Sequence, residues 1–172
     1  MKWRNISTAC LVSAIANPTH GLITNIGKAH LEGFGSIEGV ARGKSELYLH
    51  LLKNNGVVFV NGADEHLVRM ATRIENPIYY SHPDAFYPVQ FMGANPLVVY
   101  QDPNGKQWET NLIGEYNFNN MAAALTVGRF FDVPAEQMNQ ALVNYVSDNN
   151  RSEVRKIGTN TIVLDAYNAN PS

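Results

Sequence analysis

Two spacings of apolar residues take turns along this chain, and each switch marks an element. The run Gly21-Leu22-Ile23-Thr24-Asn25-Ile26 is short and rich in branched residues, the composition of a buried strand. Gly27 ends it, and Gly33 and Gly35 keep the following connection irregular. From Glu38 the period becomes helical, with Val40, Leu47, Tyr48 and Leu51 on one stripe. Gly56 to Val60 is a second buried-type strand, and Asn61-Gly62-Ala63-Asp64 follows at its carboxyl end. Those four residues predict a turn into a helix that begins near Asp64 and covers His66 to Arg73. Pro77 to Tyr80 reads as a further strand.

Beyond Phe86 the character changes. Leu97 to Gln101 alternates, Asp102-Pro103-Asn104-Gly105 makes a turn, and Gln107 to Thr110 answers it, which predicts an antiparallel hairpin in a small second sheet. His82 and Trp108 read as structural. An alanine-rich helix follows, with Met121, Ala124, Leu125 and Gly128 spaced for close packing. Asn117 and Asn120 lie in its first turn, where capping explains one asparagine well and two less well. Pro134 opens the next helix, whose expected buried stripe is Met138, Ala141, Leu142, Tyr145 and Val146. Thr161 to Leu164 is expected to be a third buried strand with Asp165 at its carboxyl end.

Composition removes several classes of function. Charged residues are only 16% of the 172, against roughly 25% in ordinary domains, and twenty asparagines fill much of the polar complement. The net charge is −2 and Lys and Arg do not cluster, which argues against a nucleic-acid partner. No apolar run approaches the roughly 20 residues of a membrane-spanning helix. A single cysteine, Cys10, rules out an internal disulfide and fits a reducing, cytoplasmic compartment. Residues 1–16 carry a faint export-signal pattern, but Ser7, Thr8 and Ser13 interrupt its apolar part.

The candidate chemistry begins with Lys44, which shares the Val40–Tyr48–Leu51 stripe although an inward ammonium is costly unless paired, snorkelling or modified. His30 lies on the connection after the first strand, so one strand–loop–helix unit can bring the two together. The segment Gly39-Val-Ala-Arg-Gly43-Lys44-Ser45 imitates a phosphate-binding P-loop. That motif needs four residues between its glycines, and here there are three, within a segment that already has helical spacing. His30, Asn61 and Asp165 each follow a different expected strand, the edge where open α/β sheets bind ligands.

The run NIGKAHLEGFGSIEGVARGKSE resembles the ATP-binding central domain of the Mur ligases, the amide-forming enzymes of peptidoglycan precursor synthesis. AHLEGFGS and DAYNANP resemble the branch of that family that adds D-alanyl-D-alanine. The resemblance implies an α/β fold, a mostly parallel sheet flanked by helices with a small antiparallel sheet attached. It implies ATP and Mg²⁺ as cofactors, and UDP-N-acetylmuramoyl-tripeptide and D-alanyl-D-alanine as partners in the full-length enzyme. His30 matches the family's metal-binding histidine, and Lys44, fourteen residues on, matches its carbamylated lysine near the same metal. A carbamate would turn a cation into an oxygen ligand of the kind Mg²⁺ prefers.

Asn117 and Asn120 match asparagines that lie against the adenine, with Tyr116 in place of the family's histidine. Arg151 matches a phosphate-contacting arginine, without its usual Pro-x-Gly-Arg setting, and Asp165 an acid near the ribose and hinge. Asn61 and Asp64 match an Asn-x-Asp-Asp element close to the nucleotide. The resemblance covers residues 16–172, residues 1–15 do not match, and the family's upstream P-loop is not seen. A partial central domain, inactive by itself, is therefore expected. The competing readings are a non-catalytic fragment without effective ATP binding, or another ligase of the superfamily such as a folylpolyglutamate synthetase, against which DAYNANP argues.

Overall fold

A computed structural model describes residues 8–27, 34–147 and 153–164. The fold is α/β, a parallel sheet flanked by helices together with a small antiparallel sheet. The chain divides into two compact units between Ala85 and Phe86.

The first unit is a doubly repeated strand–helix alternation. Strands β1 (His20–Ile23), β2 (Val57–Asn61) and β3 (Ile78–Tyr80) pair in parallel in the order β1-β2-β3. Parallel neighbours need a crossover, supplied here by helices. Helix α1 (Thr8–Ala16) precedes β1, α2 (Ile37–Lys53) joins β1 to β2, and α3 (Glu65–Ala71) joins β2 to β3. Ser36 caps α2 by accepting from Gly39 N at 3.1 Å. The expected stripe is the buried face of α2: Val40, Tyr48 and Leu51 are all buried, the last two within a core that includes Ile23, Val58, Val60 and Leu67. Tyr48 satisfies its hydroxyl inside that core by donating to Phe59 O at 3.1 Å.

The second unit contains the meander β4 (Gln90–Ala94), β5 (Leu97–Gln101) and β6 (Gln107–Ile113). Alternation is strict in β6, where Trp108, Thr110 and Leu112 are buried and Gln107, Glu109 and Asn111 are exposed. Helices α4 (Tyr116–Phe130) and α5 (Ala135–Asn144) complete its core through Met121, Leu125 and Met138. The buried hydroxyl of Tyr100 donates to Asn139 Oδ1 at 2.6 Å.

Three sequence expectations are corrected here. Ala124 is exposed, and Ala122 and Ala123 are buried instead. Tyr145 and Val146 are 47% and 61% exposed because α5 stops at Asn144 and Tyr145 takes extended backbone. The strand over Thr161 to Leu164 belongs to no parallel sheet. As β8 (Asn160–Leu164) it pairs antiparallel with β7 (Glu153–Ile157), and Ile162 is 38% exposed. The intervening turn uses Gly158 at φ 62°, a conformation open to glycine at little steric cost. A short apolar run records that a segment is extended, and says nothing of the direction of its partner.

Candidate functional site

Three polar side chains from three elements converge on the backbone that leaves β1. The first is Asn61, the last residue of β2 and only 4% exposed. Its Nδ2 donates to Thr24 O at 2.9 Å, and its Oδ1 accepts from Ala63 N at 3.0 Å. The second is Lys44, half-buried on α2, whose Nζ donates to Asn25 O at 2.7 Å. The third is Asp64, the N-cap of α3. One of its oxygens accepts from His66 N and Leu67 N, and the other accepts from Ile26 N at 2.8 Å. Thr24, Asn25 and Ile26 are thus held in succession from β2, α2 and α3.

This convergence sits at the carboxyl edge of the parallel sheet, where crossover topology brings the starts of α2 and α3 beside the ends of β1 and β2. Burial pushes the Lys44 ammonium below the ordinary lysine range, and the Asp64 carboxylate nearby opposes that shift. An amine so placed loses its proton more readily than a surface lysine.

The pair Gly39 and Gly43, which imitates a P-loop in sequence, has another use. A Cβ on Gly39 would lie 2.1 Å from Phe34 O, and one on Gly43 would lie 2.6 Å from Phe34 Cε1. The two glycines, four apart on one helix face, form a seat for Phe34. Sequence reading missed this role, and the signal was present in the glycine spacing once α2 was known to be continuous.

Of the other candidates, Asn117 lies in the first turn of α4 and Asn120 at the start of the second. Asn117 Nδ2 donates to Ile113 O at 2.8 Å, tying the helix start to the end of β6, and Asn120 Nδ2 reaches Asn117 Oδ1 at 3.4 Å. His30, Arg151 and Asp165 lie outside the described residues. His82 stacks on Tyr79 with ring centroids 4.6 Å apart, and Trp108 Nε1 donates to the buried Asp102 at 2.9 Å.

Magnesium needs several free oxygen donors. Both oxygens of Asp64 and the Oδ1 of Asn61 already accept backbone N–H groups, and no cluster of three His, Cys, Asp or Glu side chains is placed for a metal among the described residues. Asp64 Oδ2 and Asn61 Oδ1 each accept one such bond and retain a second lone pair, so these two side chains would offer a metal two oxygens, short of a Mg²⁺ shell by themselves. The described part of this edge fits the fixing of a loop and the presentation of one amine.

The family model for the Mur ligase middle domain matches residues 5–128. The chain belongs to the Mur ligase family. Among curated relatives, the UDP-N-acetylmuramoyl-tripeptide–D-alanyl-D-alanine ligase of Bacillus subtilis is 30% identical over 165 residues, which cover 94% of this chain and 36% of that protein. The ligase of the same name from Haemophilus influenzae is 29% identical over 91% of this chain and 35% of its own length. This Mur ligase chain thus spans about a third of the length of the relatives it matches. In fold it is similar to the MurF ligase of Thermotoga maritima solved with ADP, with a TM-score of 0.76 at 23% identity over 93% of this chain and 38% of that one. Among the described residues no helix is long and apolar enough to cross a membrane.

Proposed function

We propose that this Mur ligase domain serves an ATP-dependent ligase that joins D-alanyl-D-alanine to UDP-N-acetylmuramoyl-tripeptide in peptidoglycan precursor synthesis. The observation that carries the reading is the placement of Lys44 at the carboxyl edge of the sheet, with its Nζ 2.7 Å from Asn25 O. In the proposed reaction the terminal carboxylate of the tripeptide takes the γ-phosphoryl group of ATP and becomes an acyl phosphate. The amine of D-alanyl-D-alanine attacks the acyl carbon, and phosphate leaves. Stabilising the charge of the transferring phosphoryl group is the main task of such a site.

Lys44 is proposed to take up carbon dioxide as its carbamate. The neutral amine attacks the carbon of CO₂ and a proton is lost. One N–H remains on the nitrogen and can keep the bond to Asn25 O, so modification need not disturb the tether. His30 is proposed to act beside it, Asn117 and Asn120 towards adenine, Arg151 towards phosphate and Asp165 towards ribose. Asn61 and Asp64 act in this scheme by holding the backbone between β1 and His30.

The test is a chimaera in which this chain replaces the corresponding stretch of the Bacillus subtilis relative. With ATP, UDP-N-acetylmuramoyl-tripeptide and D-alanyl-D-alanine, mass spectrometry should detect the UDP-linked pentapeptide, and Lys44→Met should abolish it. A folded chimaera that releases no phosphate with any amine donor would overturn the ligase reading. Product with a different amine donor would overturn the choice of D-alanyl-D-alanine alone.

A further inference from the structure

On α2 and α3, apart from the tethered loop, the two helices enclose a groove of about 510 Å³. Its walls carry Tyr48, Leu49 and Leu52 from α2, with Met70 and Ile74 from α3 and the residues after it. Leu49 and Leu52 stay 44% and 42% exposed, so the groove leaves apolar surface facing water. Arg69 and Arg73 stand four residues apart along its rim. Neither arginine has an acidic partner among the described residues, whereas Lys106 and Arg129 elsewhere each have a carboxylate within 4 Å. Glu38, the groove's one acid, lies at the end where both helices start, and hydrogen bonds from the backbone and from Ser36 hold its carboxyl below the usual range.

From this combination we infer that the groove binds a small carboxylate with an aromatic or aliphatic body, the body lying on the leucines and the carboxylate meeting Arg69 and Arg73. The volume falls in the range of ligand pockets, roughly 300–1,000 Å³, and the lining sets Ala41, Tyr48, Leu49, Leu52, Met70 and Ile74 against six polar or charged residues, Arg69 and Arg73 among them. The planar fork of a guanidinium matches a carboxylate in two parallel hydrogen bonds, which selects an anion over an alcohol of the same shape. No residue of the Thr24–Ile26 tether lines the groove.

Calorimetry with three probes of one shape and different charge decides the matter: 4-biphenylacetate, 4-biphenylmethanol and 4-biphenylmethylamine. The carboxylate should bind at least about tenfold more tightly than the alcohol, and the amine more weakly still. Arg69→Gln and Arg73→Gln should each weaken the carboxylate by about tenfold and leave the alcohol unchanged. Both positions are exposed, so circular dichroism should show an unaltered fold. Amide chemical shifts of Leu49, Leu52 and Met70 should move with the carboxylate. Equal affinity for the three probes, binding indifferent to both arginine changes, shifts confined to another surface, or no binding at all would each overturn the inference.

Discussion

The longest side-chain bonds of the two units are deployed differently: in the first they meet on one stretch, in the second they are scattered. In the first unit the bonds that matter are long in sequence: Lys44 reaches back 19 residues, Asn61 37 and Asp64 38, all to one three-residue stretch. In the second unit the long bonds land apart, Tyr100 on Asn139 across 39 residues and Asn111 on Val143 across 32, and the bonds that cluster are local. Asp102 accepts from Asn104 N, Lys106 N and Trp108 Nε1, and Asn117 donates four residues back to Ile113 O. A polar group bonded to its near neighbours shapes a turn or a cap, and its presence needs no further reason. Polar groups drawn from distant elements onto one loop fix that loop in space, as an active edge requires.

If that contrast is right, the largest loss comes from the local motif. Asp102→Ala strips three donors of their buried acceptor and should destabilise the chain by about 3 kcal/mol in urea titrations followed by tryptophan fluorescence. A loss well under about 1 kcal/mol would mean that water replaces the carboxylate. Asp64→Ala should cost about 2 kcal/mol, and Asp64→Asn should recover the helix-capping share of about 1 kcal/mol because asparagine caps nearly as well. The long-range share has its own signature: the Ile26 amide should exchange faster in both variants, while His66 and Leu67 lose protection only in the alanine one. Equal behaviour of all three amides would erase the distinction drawn between cap and tether.

The smallest effect concerns Lys44. Its pKa is lowered by folding, so the unfolded chain holds the proton more tightly. The cost of burying the ammonium is thus present at neutral pH. It disappears as pH rises from the depressed value towards the ordinary lysine value of about 10.4, where both states are neutral. Lys44→Met should therefore gain stability relative to the parent near pH 7, and the gain should shrink in alkali. A difference that stays constant with pH would show the amine to be fully solvated.

The sequence shows what is periodic. The buried face of α2, the strand at Val57–Asn61 and the turn at Asp102 were all legible because each follows from spacing within one element. Lys44 was conspicuous for the same reason. The targets of Lys44, Asn61 and Asp64 were not legible, because a backbone carbonyl or amide carries no mark of its distant partner. The pairing of β8 and the exposure of Tyr145 were hidden for related reasons: direction and termination depend on what the neighbouring chain does.

Phe34 on its two glycines has a consequence for how such a protein can change over generations. Ile26 is bound to Asp64 on one side of the intervening residues, and Phe34 is seated on α2 on the other. A bulky residue at Gly39 or Gly43 unseats Phe34, so those two positions should admit far fewer substitutions than the exposed positions of α2 around them.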